Sequence, residues 1–186
     1  MPNVEITADV FIGSVIAIMV AYGFIIGRNG ILRIILSTYL AILAADGVSL
    51  FIEGRILSLS PILNKIFNLF GAEGIVSLKI FIFIAIIVIL VVRGAFTIDL
   101  PLEKFLSLRI ISTGFVSLLS ANLIISAILV YIAGGSFLQS NLNNDLSLLS
   151  LYQESILAKT LIENFHLSFL LPVITFIVFS LIYNEE

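Results

Sequence analysis

The chain has 186 residues, of which 60% are hydrophobic and only 11% charged, and its mean hydropathy is +1.23. Too little polar surface is left to cover a soluble globule of this size, so lipid is the expected solvent. Nine Lys and Arg against twelve Asp and Glu give a thinly spread net charge of -3, which excludes a basic surface able to track nucleic-acid phosphates. The absence of cysteine excludes disulfides, thiolate nucleophiles and cysteine-ligated metals.

A membrane helix needs roughly 20 apolar residues to cross a hydrocarbon core about 30 Å thick. The first apolar run, Ala8 to Gly27, follows a stretch that holds Glu5 but no Lys or Arg, and no small-residue cleavage site stands out after it. It is expected to stay in place as a signal anchor. The polar tripeptide Arg28-Asn29-Gly30 is expected to turn the chain into a second run, Ile31 to Ile52, making a tight antiparallel hairpin. Next, Ser60 to Gly71 reads as a short amphipathic helix, with Ser60 as cap, Pro61 at the first helical position and Gly71 as stop. Ile62, Leu63, Ile66, Phe67 and Phe70 share one of its faces, while Asn64, Lys65 and Asn68 share the other. A third run covers Ile75 to Val92, and a fourth, Ile110 to Ala133, ends at Gly134-Gly135. Leu146 to Phe165 forms a second amphipathic candidate, with Leu149, Tyr152, Ile156, Leu157 and Leu161 on one face. For both amphipathic segments, lying in the interface and packing on the bundle rim are equal alternatives. The last run, Leu167 to Tyr183, is short and carries Pro172 near its start.

None of these runs alternates with period two, so helices are the spanning form. The predicted fold is all-α: one integral membrane domain over residues 1–186, built from four to five transmembrane helices and one or two short interfacial helices. Arg28, Arg33, Arg93, Lys104 and Arg109 lie on one side of this arrangement and Arg55, Lys65, Lys79 and Lys159 on the other. The positive-inside rule then places the Arg28 turn in the cytoplasm and the N-terminus outside.

Charge within a membrane helix costs roughly 2.5 to 3.5 kcal/mol on insertion scales, so each instance needs a partner or a purpose. Asp46 lies about 9 Å inside the end of the second run and Lys79 about 6 Å inside the start of the third, on the same side. They are predicted to face the bundle interior and approach each other as an intramembrane polar site, with either a structural role or a place on a proton, ion or substrate path; snorkelling of both toward one interface is the alternative. Asp9 begins the first helix, where the dipole favours a carboxylate, and Arg28 and Arg33 suit anionic headgroups at the opposite edge.

Small residues recur every fourth position where helices touch closely. Gly13, Ala17 and Ala21 form one such stripe, Gly23 and Gly27 a GxxxG, and Ser37, Ala41 and Ala45 a third on the second helix. Thr113, Ser117 and Ala121, with Gly114, Ser120 and Asn122 beside them, repeat the spacing on the fourth. This chemistry implies helix packing, with a second copy or another membrane protein as the expected partner besides the lipid bilayer. His166 stands alone without further metal ligands nearby, and no nucleophile motif, Walker loop, HExxH or dinucleotide glycine pattern is present. Neither a cofactor nor enzymatic activity is expected.

The opening segment, with Asp9 at the head of the first helix, then Gly23, Gly27, Arg28, Gly30 and Arg33, resembles the colicin V production protein (CvpA-like) family of small multi-pass bacterial inner-membrane proteins. Ser155-Ile156-Leu157, within Tyr152 to Leu161, is similar to that family's aromatic-x-x-Ser-hydrophobic stretch. Three features depart from the family pattern: Asn29 interrupts the Arg-Gly pair, Leu102 to Ser107 lacks the Asp-Arg and glycine, and Leu167 to Tyr183 is an additional segment. The resemblance implies a non-enzymatic role in toxin production or export and envelope maintenance. Assembly through the small-residue faces is the leading expectation. A small channel or transporter component using Asp46 and Lys79 is the alternative.

Overall fold

The computed structural model describes residues 8–56, 61–94, 96, 106–133, 135–137 and 155–183. Within them the chain is all-helical: α1 (Ala8–Ile26), α2 (Arg28–Phe51), α3 (Pro61–Val92), α4 (Leu106–Ile132), α5 (Ile156–Glu163) and α6 (Phe165–Tyr183), with a π-helical turn over Ile52–Ile56. Three helices are long and apolar enough to cross a membrane: α1, α2 and the Arg109–Ile132 part of α4. A fourth is added if α5 and α6, bent by 65° across Asn164, form one broken span. By length and composition these are the marks of a membrane protein.

Three boundaries differ from expectation. Arg28-Asn29-Gly30 is the first turn of α2, and the reversal falls on Gly27 alone, whose φ of 80° is open to glycine and strained for other residues. One linking residue cannot lay two helices, each about 10 Å wide, side by side. Accordingly α1 packs chiefly against α4 rather than α2. Gly71 does not end a separate short helix, because α3 runs unbroken from Pro61 to Val92; a single glycine costs a helix only about 1 kcal/mol and makes a weak stop. The expected third span is therefore the latter part of this long helix, with 17 residues in its apolar Val76–Val92 stretch. Of the second amphipathic candidate, residues 146–154 lie outside the described residues. Its remainder turns Ala158 and Ile162 inward, packs Leu161 against them and leaves Ile156 77% exposed.

Helix α4 is the central post: 67% of its most apolar stretch is buried, against 11% for α1. Near the Gly27 end, Ile31, Leu32 and Ile35 of α2 pack with Val116 and Leu123 of α4 and with Phe176 and Phe179 of α6. Toward the other end, Ala41, Ile42 and Ala45 of α2 meet Phe83 of α3 and Ala127 and Tyr131 of α4. Ile12 of α1, Ile125 and Leu129 of α4, and Ala158 and Ile162 of α5 form a third cluster. Helix α6 runs antiparallel to α2: Phe169, near its start, meets Tyr39, and Phe179, near its end, meets Arg28.

The bundle is inverted relative to a soluble protein. Ile25 (82%), Val92 (78%) and Phe81 (72%) point outward, while Ser37, Thr38, Asp46 and Ser126 are fully buried. Apolar side chains outside and polar ones inside suit a lipid surround.

Gly23 sets the α1–α4 contact, since a Cβ there would lie 2.1 Å from Ser117 Oγ. Gly13, on the same helix, has open space around that position. Gly23→Leu is expected to destabilise the fold by about 1–3 kcal/mol through overpacking, while Gly13→Leu leaves stability unchanged. Reversible denaturation in mixed micelles measures both.

Candidate functional site

Asp46 is 0% exposed and Lys79 7% exposed. Tyr131 fixes their level: its hydroxyl donates to the Ile42 carbonyl (3.2 Å), and its ring lies edge-on to Phe83 with centroids 5.8 Å apart. Asp46 is one helical turn beyond Ile42, and Lys79 one turn beyond Phe83 in the same direction. Both side chains thus belong to the same end of the bundle interior. Among the described residues no salt bridge joins them, and the Asp46 carboxylate instead accepts a hydrogen bond from the Phe137 amide through Oδ2 (2.6 Å). The helix continues past Phe51 through the π turn to Ile56, so Asp46 is farther from its helix end than the apolar run alone implied.

The segment bearing Phe137 leaves α4 through Gly135, whose amide donates to the Val130 carbonyl. The Phe137 ring is then held among Tyr131, Phe165 and Phe169, with centroids at 5.6, 6.2 and 4.8 Å. Buried hydroxyl oxygens of Ser37 and Ser136 have no hydrogen-bond partner among the described residues, which leaves polar capacity inside the bundle.

Below this level α6 is tied to its neighbours by polar contacts. Asn122 donates to Ser168 Oγ (2.7 Å), and the Ser126 and Ser168 hydroxyls lie 2.9 Å apart. Pro172, inside α6, has no N–H for the Ser168 carbonyl four residues back. The adjacent Phe169 carbonyl accepts from the Tyr39 hydroxyl (2.5 Å), a partner on α2.

Of the edge charges, Asp9 and Arg28 make contacts within the chain. Asp9 Oδ1 accepts from Ser155 Oγ (2.5 Å) and the Leu157 amide (3.0 Å), while Ser155 caps α5 by accepting from Ala158 N–H. A carboxylate is favoured there by the exposed amides of the α5 start. Arg28 is only 8% exposed, with its guanidinium 5.8 Å from the centre of the Phe179 ring. Arg33 is half-buried, and its Nε is buried without a hydrogen-bond partner among the described residues.

Most of the small-residue positions face inward. Gly23, Ser37, Ala41, Ala45, Thr113, Ser117 and Ala121 are buried within the single chain. Gly114 lies against Phe24, where a Cβ would be 3.1 Å from Cζ. Gly27 belongs to the turn rather than to a contact face. Ala17 and Ala21 are exposed and Gly13 half-exposed, and at 100° per residue Ala17 and Ala21 lie on the far side from the α1 face carrying Ile12 and Gly23, with Gly13 about a quarter turn from that face. His166 is exposed, and among the described residues no three His, Asp or Glu side chains converge to hold a metal.

Sequence reasoning missed Phe137, Tyr131, Tyr39 and Ser155 as partners. The Gly134-Gly135 pair in the sequence was the available signal that the fourth run stops there; no spacing rule pairs Tyr39 with Phe169. Comparison with protein-family models, curated proteins and solved structures finds no match, so the resemblance to the colicin V production proteins rests on its sequence motifs alone.

Tyr39→Phe removes the hydroxyl beside the proline turn. It is expected to cost about 0.6 kcal/mol, and no more than about 1.7, the range for interhelical hydrogen bonds in membranes. Comparing its unfolding free energy with that of the parent chain provides the check.

Proposed function

We propose that the chain is a multi-pass membrane protein that works as a small channel or transporter component, with Asp46 and Lys79 as its polar site. One observation carries this reading: two ionisable side chains, Asp46 and Lys79, lie buried at one level of an apolar bundle. Each costs several kcal/mol to bury in an apolar surround, so it needs a partner or a purpose. The buried Ser37 and Ser136 oxygens add sites where a passing proton, ion or polar solute gains a hydrogen bond. The work requires movement and no covalent chemistry. In proteoliposomes, an imposed pH or ion gradient is expected to drive flux that Asp46→Asn abolishes. No flux from the parent chain under any imposed gradient rejects the reading.

Five crossings fit the packing best: α1, α2, the latter part of α3, α4, and α5–α6 as one broken span. The antiparallel run of α6 along α2 supports the fifth. Arg28, Arg33, Arg93 and Arg109 cluster at the Gly27 end, which the positive-inside rule assigns to the cytoplasmic face of a bacterial inner membrane. Reporters fused before α1 and after Tyr183 are expected on opposite sides; finding both on one side removes a span.

A second reading, assembly with another copy or an envelope partner in envelope upkeep or toxin export, is favoured by the outward stripe Gly13, Ala17 and Ala21. Disulfide trapping through Ala17→Cys is expected to yield dimers in membranes, with Gly13→Leu suppressing them. Trapping that is absent, or indifferent to Gly13→Leu, sinks this reading.

A further inference from the structure

Of the three unbroken spans α1 is the least embedded, and its seam with α4 has two unlike flanks. On one flank Ala158 and Ile162 of α5 pack against Ile12, Ile125 and Leu129. At 100° per residue, Ile16, which joins that cluster, lies about 40° to one side of Ile12, while Ala8, Phe11 and Val15 lie about 40–100° to the other. Those three residues and, from α4, Ile128 and Ile132 wall a cleft of about 200 Å³ beside Ile12. No polar atom contributes to its wall.

The position and size of the cleft identify what fills it. It starts at Ala8, the first residue of α1, and reaches Val15, about 10 Å farther along the axis. It therefore runs inward from one membrane edge, the direction in which a lipid tail lies. Water gains no hydrogen bond there, and a dry void deprives its wall atoms of dispersion contacts. An enclosed apolar cavity of roughly 150 Å³ in a soluble protein stays free of water yet takes up benzene. The α1–α4 cleft is larger and opens among side chains that already face lipid, with Phe11 63% exposed. A helix from a second copy is about 10 Å wide and displaces more than this volume over the same length, so it does not enter.

We propose that the α1–α4 cleft binds one acyl chain of a bilayer lipid, which completes the seam that α5 closes on its other flank. The apolar wall offers nothing to a headgroup, and Asp9 at this end is turned to Ser155 and Leu157 on the α5 flank. The site therefore selects for a hydrocarbon chain and is indifferent to headgroup charge. This inference goes beyond transport at Asp46 and does not depend on it; it depends on α1 lying in lipid.

The test takes the full chain from nanodiscs of equimolar phosphatidylethanolamine and phosphatidylglycerol with identical chains, extracts it into mild detergent, removes loosely held lipid and determines its mass by native mass spectrometry. One lipid per monomer is expected to be retained, with the two headgroups equally represented. Ala8→Trp fills the cleft from its own wall and is expected to lower retention roughly tenfold. Val10→Trp, at a site 61% exposed on the far side of α1, is expected to leave it unchanged. Ile132→Trp fills the cleft from α4 and replaces Ala8→Trp should that variant misfold; if both misfold, retention by the parent chain and its indifference to headgroup decide. A parent chain that retains no lipid overturns the proposal, as does retention that follows one headgroup or survives both cleft-filling variants. A lipid-free dimer also overturns it, by assigning this face to a second copy. Reporters that place α1 outside the membrane remove the membrane reading of this helix, whereas an inserted α1 without a retained lipid removes the chain site alone.

Discussion

The cost of burying Asp46 and Lys79 sets the terms for the rest of the bundle. An ionised group at the centre of a membrane helix costs roughly 2.5 to 3.5 kcal/mol even on insertion scales, whereas an interhelical hydrogen bond there averages only about 0.6 kcal/mol. No handful of serine contacts offsets two such charges. At that end of the bundle the Phe137 amide donates to Asp46, and the rings of Phe83, Tyr131, Phe137, Phe165 and Phe169 pack against one another. Tyr131 joins three helices at once, touching Ile42 and Phe83 from α4. Its position explains why the two charged residues share a level although they sit on different helices.

Away from that end, the bundle is held by close approach. Ala41, Ala45, Ala121 and Ala127 are fully buried, which lets α2, α3 and α4 come near enough for dispersion to act over long contacts. Gly23 does the same for α1, whose remaining surface is largely outward. Two polar clasps then fix the more loosely attached elements. Asp9 and Ser155 bind the start of α5 to the start of α1. Tyr39, Asn122 and Ser126 bind α6 near its proline, where the backbone has lost a donor and a neighbouring hydroxyl reaches an adjacent carbonyl. The second clasp puts Ser126 and Ser168 inside an apolar sheath, where water does not compete for them.

Local composition determined much of this protein. Long apolar runs without period-two alternation specify helices, because in lipid the backbone must satisfy its own hydrogen bonds, and the rarity of charge within those runs singled out Asp46 and Lys79. The helix limits near Ala8, Ile26 and Ile132 follow from where those runs meet polar residues or glycine. Tertiary structure decided what local rules cannot weigh. Gly71 is passed over because one glycine is too weak a stop; Gly27 alone makes the turn because its positive φ suffices; α1 leaves α2 for α4 because a one-residue link holds the pair apart. The partners of Asp46, Tyr39 and Asp9 lie 91, 130 and 146 residues away in sequence. Contacts at such separations depend on how whole helices settle against one another, and no periodicity within a single run encodes that.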